Sequence, residues 1–135
     1  MDYSKLISVA GLSGLYELVS TKSDGAIVKS LLDGSTRFAS TRQHQFSQLE
    51  NIEVYTQREN VNLAEVFKAM KSASVSLPDE KDTKAIKSYF ETVYPDLDFE
   101  RVYISDMKKM VKWFSIIQSK GIEIVLSEQE GEEQA

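Results

Sequence analysis

Apolar and polar residues follow a period of two through the first part of the chain, and the period lengthens to about 3.6 near residue 61. Three short β-favouring stretches, 15–21, 26–32 and 35–40, are separated by Asp24-Gly25 and Asp33-Gly34. Two-residue hairpin turns of the primed type need positive φ at both central positions, which Asp tolerates and Gly adopts freely. The two pairs therefore predict tight turns and a three-stranded meander. In its second stretch Ala26, Val28 and Leu32 share one face, while Ile27, Lys29 and Leu31 share the other. Neither face is cleanly polar, as expected of a strongly bent strand in a small barrel. A meander this short must close on something. Residues 52–56 (IEVYT) are the expected fourth strand, with a helical turn over 46–50 before it. Residues 4–10 read as a short helix capped by Ser4, ended by Gly11, and buried on Leu6, Ile7 and Ala10.

The rest of the pattern is helical. Asn62 is a favourable N-cap with Glu65 three residues on, and Leu63, Val66, Phe67 and Met70 form the apolar stripe of a helix over 63–72. Residues 72–81 (SASVSLPDEK) read as a loop or hinge. A second helix over 82–94 presents Ile86, Phe90 and Val93 and stops at Pro95. Residues 95–103 read as an ordered loop that hides Leu97, Phe99 and Val102. A third helix, capped by Ser105 or Asp106, carries Met107, Met110, Val111, Phe114 and Ile117 on a wide apolar face extended by Trp113 and Ile116. Lys120-Gly121 ends it. A final β-like run covers 122–126 and has no evident partner.

The predicted architecture is α+β: a small β-barrel over 1–60, a module of about three helices over 61–127, and a disordered acidic tail over 128–135. With 135 residues the chain is long enough to bury a substantial core. It has no cysteine, which excludes disulfides, thiolate metal sites and thiol nucleophiles. No secretory leader and no apolar run long enough for a membrane helix are evident, so a cytoplasmic location is expected. The net charge of −5 resides mainly in the tail, whose eight residues hold four Glu and no basic residue. The remainder is nearly neutral, so the acidic balance says little against a nucleic-acid partner.

Candidate chemistry is sparse. Asp96, Asp98 and Glu100 alternate, but a calcium loop starting at Asp96 would want Gly and Glu where Arg101 and Met107 stand; solvated loop carboxylates are the simpler reading. His44, the single histidine, has Ser and Thr neighbours but no nucleophile elbow and no spaced acid. Gly11 and Gly14 lack the spacing of a phosphate loop and suit a sharp entry into the first strand. No catalytic, cofactor or metal residues are assigned.

The runs Ser8–Tyr16 (SVAGLSGLY), Leu49–Thr56 (LENIEVYT) and Asp98–Lys109 (DFERVYISDMKK) resemble a family of small bacterial proteins classified as a domain of unknown function. The resemblance implies an SH3-like N-terminal barrel followed by a helical module, and brings no activity or site residues. The expected role is a non-enzymatic protein-interaction or adaptor module without cofactor. Tyr16, Phe38, Tyr55 and Tyr103 are its candidate contacts, as exposed aromatic side chains. The alternative is nucleic-acid binding, to RNA first, through Arg37, Arg42, Lys108, Lys109 and Lys112.

Overall fold

The computed structural model describes residues 2–12 and 14–126. Five strands form one antiparallel sheet: β1 (Leu6–Val9), β2 (Tyr16–Lys22), β3 (Gly25–Ser30), β4 (Thr36–Ser40) and β5 (Phe46–Gln48), in the order β4-β3-β2-β1-β5. A ribbon of β6 (Glu53–Val54) and β7 (Val61–Asn62) leads into the helices α1 (Leu63–Ser72), α2 (Thr83–Val93) and α3 (Ile104–Ser119). The mixed α+β class and the meander β2-β3-β4 agree with the sequence pattern.

Several local expectations do not hold. The sheet is open, with β4 and β5 as edges, so the closed SH3-like barrel is not formed. The run expected to close it pairs instead with its near neighbour, Glu53 opposite Asn62 and Val54 opposite Val61, a loop closure of short span. Residues 46–48, expected as helical, form β5 against β1, and only Leu49–Asn51 makes a 3₁₀ turn. The expected N-terminal helix is limited to a 3₁₀ turn at Tyr3–Lys5, followed by β1. Strand β1 lies between β2 and β5 and is apolar on both faces: Leu6 joins the core under the helices, while Ile7 and Val9 join a second core on the sheet. A central strand buried on both sides loses its alternation, which is why its four residues mimic a helical pattern.

Both hairpin turns also differ from the primed type. Lys22 pairs with Gly25, so Ser23 and Asp24 make the first turn, and neither Asp24 nor Gly25 has positive φ. The second loop spans four residues between Ser30 and Ser35; Gly34 alone takes the left-handed conformation, at φ +77°, and its N–H donates to the Ser30 carbonyl. Val19 is an extra residue between the pairs Leu18–Val28 and Ser20–Ile27, a bulge that raises the local twist. The curled sheet thereby covers its own core of Ile7, Val9, Tyr16, Ala26, Val28 and Ala39, bordered by Leu12, Leu18 and Phe46.

Helix α1 forms as expected. The Asn62 side chain accepts from the Ala64 N–H (2.9 Å), and its amide donates to the Glu50 carbonyl (2.7 Å), tying the helix start to the 3₁₀ turn. Asp82 caps α2 by accepting from the Ala85 N–H. Helix α3 starts earlier than its expected cap: Tyr103 is the N-cap residue, and Asp106, two residues into the first turn after Ile104, reaches back to the Tyr103 N–H (3.1 Å). At its other end Gly121, at φ +64°, donates to the Gln118 carbonyl and Ile122 to that of Ile117, a Schellman closure. Residues 122–126 form no strand; Ile122 is buried, and Ile124 and Leu126 pack on the helical core. The acidic stretch 128–135 lies outside the described residues.

The main core joins the two halves of the chain. Tyr3, Leu6, Leu15, Leu31 and Leu49 meet Phe67, Phe90, Met107, Phe114 and their neighbours. The Tyr3 ring stands edge-on to Phe67 at 6.5 Å, and its buried hydroxyl has no hydrogen-bond partner among the described residues. Burial, with the Glu50 charge second, pushes the Tyr3 pKa well up. Because the folded pKa exceeds the unfolded value of about 10, stability is unaffected below that pH and is lost as pH rises toward the folded value. Tyr3→Phe keeps the ring and removes the unsatisfied hydroxyl. Urea midpoints should show it unchanged or up to about 1 kcal/mol more stable at neutral pH, with a shallower decline above pH ~10. An identical alkaline decline in both proteins would refute this assignment.

Candidate functional site

A depression lies where the β6–β7 ribbon faces the first half of α3. A turn and a loop build its lip. The Thr56 hydroxyl donates to the Glu59 carbonyl (2.6 Å) and accepts from the Arg58 N–H (3.1 Å), shaping the connection between β6 and β7. The 95–103 loop is pinned beside it: Gln57 N–H donates to Asp96 O (2.8 Å), and Asp98 N–H to Tyr55 O (3.1 Å). Leu97 is fully buried, as the apolar residues of this loop required.

Arg101 locks this arrangement. Its Nε donates to Asp98 Oδ2 (2.8 Å), its Nη2 donates to Thr56 O (3.2 Å), and the guanidinium carbon sits 4.5 Å from the centre of the Tyr55 ring. Asp98 Oδ1 accepts from the Glu100 N–H (3.0 Å) and the Arg101 N–H (3.3 Å). The Arg101 hydrogen bond, ahead of those from the backbone, holds the Asp98 carboxyl below the usual carboxylate range. Both Asp98 oxygens are thus committed within the loop. Arg101→Ala should cost about 1–2 kcal/mol in chemical denaturation, since one side chain serves a carboxylate, a carbonyl and an aromatic face at a half-exposed site. Arg101→Lys should recover little of it, because an ammonium cannot reproduce the fork. Full recovery by Lys would show that charge alone matters.

The cleft behind this lip has a volume of about 260 Å³. Ile52, Val54, Leu63, Val102, Met110 and Trp113 give it an apolar floor, and Glu53, Tyr55, Arg101, Asp106 and Lys109 line the remainder. Tyr55 is 45% exposed, and Tyr103, the N-cap residue of α3, is 66% exposed. Beside the cleft, Lys81, Lys108, Lys109 and Lys112 line a second depression with Glu80.

Among the aromatic candidates, Tyr55 lines this cleft, Tyr103 flanks α3, and Phe38 is exposed on the edge strand β4. Tyr16, expected to be exposed, is only 8% so: its register partner Ile7 and the neighbouring Val28 belong to the same sheet core. Among the basic candidates the three lysines gather on α3, whereas Arg37 lies on β4 and Arg42 lines a hollow with His44. His44 Nδ1 lies 2.9 Å from the Ala10 carbonyl, which can only accept, so Nδ1 carries the proton and the ring ties Ala10 to the 41–46 turn. Gly11 beside that ring is set by its backbone, at φ +92°, and not by space, since a Cβ there would make only ordinary contact with His44. Trp113, on the apolar face of α3, is buried in the core as its spacing predicts and also lines the cleft beside the lysines. Arg101 is the residue that sequence reasoning missed; the Asp98–Arg101 spacing of three was the available signal.

Residues 4–49 match a domain of unknown function (DUF5606), and residues 52–117 match another (DUF6852). The two matches meet at the 3₁₀ turn. No curated protein matches the chain. A solution NMR structure of a protein from Bacteroides vulgatus, determined by a structural-genomics consortium, is similar to it at 31% identity, covering 90% of this chain and 89% of that one with a TM-score of 0.70. The chain therefore belongs to the bacterial family of that protein, and matches in order the domains of unknown function DUF5606 and DUF6852.

Proposed function

We propose that this chain is a non-enzymatic protein-interaction module of the cytoplasm, and that the cleft between the β6–β7 ribbon and α3 is where a partner docks. The observation that carries this reading is the cleft's make-up, an apolar floor under a lip of mixed charge with Tyr55 half exposed on it. Such a site accepts an apolar side chain while its rim satisfies the polar groups around it. Ionisable groups of the lip are engaged in structure, Arg101 with Asp98 and Asp106 with the α3 N-cap, which suits a rigid docking surface more than proton transfer.

Selection from a random peptide library against the full chain tests the proposal. Enriched peptides should lose about tenfold or more in affinity for Tyr55→Ala, whose side chain is exposed and whose loss leaves the core intact. Failure to enrich any sequence, or equal affinity for the variant, would overturn it. RNA binding through Arg37, Arg42, Lys108, Lys109 and Lys112 is the second reading. The gathering of the three lysines favours it, while the placement of the two arginines on other elements does not.

A further inference from the structure

Three depressions border one another around the exposed side of α3. Lys109 lines both the apolar cleft and the lysine depression. Lys112 and Glu80 line both the lysine depression and a third hollow of about 330 Å³, whose apolar lining includes Leu77, Val111 and Ile116. Apolar, cationic and apolar surface thus follow one another across the helix. Lys108 and Lys112 stand at i and i+4, and Lys109 and Lys112 at i and i+3, spacings at which like charges on a helix face each other and repel. Among the described residues none of Lys81, Lys108, Lys109 and Lys112 takes part in an ion pair, Glu80 included. Among the described residues this positive charge has no ion-pair partner.

We infer that the band takes an acidic segment of a partner protein, with its carboxylates on the four lysines and a bulky apolar side chain at each end, one in the Trp113 cleft and one in the hollow over Leu77 and Ile116. The inference rests on the docking role proposed for the cleft and names the chemistry of the partner. Charge complementarity selects the occupant. Lys108 and Lys112 are only about 6 Å apart along the helix axis, at 1.5 Å per residue, so the cationic zone is short and bounded by apolar hollows. A carboxylate cluster between two apolar residues matches that order. A nucleic-acid strand would want a longer cationic track than this one.

Fluorescence titration of the full chain separates the possibilities, because Trp113 is the only tryptophan and lies in the cleft. The probes are a short, dye-labelled, tryptophan-free synthetic peptide with glutamates between two leucines, the same peptide with Gln for Glu, and a single-stranded oligouridylate. The acidic peptide should bind, shift the Trp113 emission, and lose about tenfold or more in affinity both with Gln for Glu and in the Lys108→Glu/Lys112→Glu double variant. Its binding should weaken as salt rises, since the charges are at the surface. Equal binding of the Gln peptide with the emission shift retained would overturn the acidic partner and leave the docking cleft standing. Lysine-dependent binding with no Trp113 response would overturn the cleft as well. Tighter binding of the oligouridylate than of the acidic peptide would replace both with nucleic-acid recognition.

Discussion

Phe67→Ala lowers the folding stability by about 3–5 kcal/mol, the usual cost of removing a fully enclosed aromatic ring and leaving a cavity. Phe67 has no solvent exposure; its ring lies 6.5 Å from Tyr3 and 5.8 Å from Phe114. It therefore joins the N-terminal 3₁₀ turn to α1 and α3. Against a typical total of about 5–15 kcal/mol, the loss shifts the thermal midpoint down by on the order of 10 °C. Because the ring touches both halves, urea unfolding followed by far-ultraviolet circular dichroism and by Trp113 emission should move together. Two separated transitions in the variant would show that the halves unfold independently and that Phe67 does not couple them.

Gly25→Ala is the second large effect, about 2–3 kcal/mol destabilising. A Cβ at position 25 would collide with the Ala39 carbonyl oxygen and come within 2.8 Å of the Phe38 ring. The ring can turn aside, but the carbonyl belongs to the paired backbone of β4, so relief requires moving β3 and β4 apart. The gain from reduced unfolded-state freedom, below about 1 kcal/mol, cannot offset a clash of that kind. Gly34→Ala is the control. That position has positive φ but nothing within 4 Å of a new Cβ, so it should cost only the left-handed penalty of about 1–2 kcal/mol. Should Gly25→Ala prove as mild as Gly34→Ala in denaturation midpoints, the β3–β4 approach would have to be looser than described.

These two glycines show how partial the sequence signal is. Both Asp-Gly pairs announce turns, and turns are found next to both. Yet Gly25 is required by a strand neighbour rather than by its own φ, and that neighbour is fourteen residues away. Likewise, the Asn62 cap and the Leu63–Met70 stripe located α1 because the relevant contacts are all within a turn or two. Strand β1 was misjudged because a strand buried on both faces carries no alternation to read. Residues 52–56 read as a strand and Glu53–Val54 form one, but pairing partners are a long-range choice that propensity does not encode.

The candidate site divides in the same way. The lysines of α3 and the aromatic character of Tyr55 are visible in the chain, whereas the cleft exists only because the 95–103 loop is bonded to residues 55–57 and Arg101 bridges Asp98 to Thr56. By itself the sequence determined the elements whose signals are local: the meander, the α1 cap and stripe, the apolar α3, and the absence of thiol chemistry. Tertiary structure alone decided that the sheet stays open, that Tyr16 is buried, and that an apolar cleft adjoins a lysine cluster. The physical reason is range: caps and periodicities act within a few residues, while sheet edges and clefts are set by which distant surfaces exclude water together.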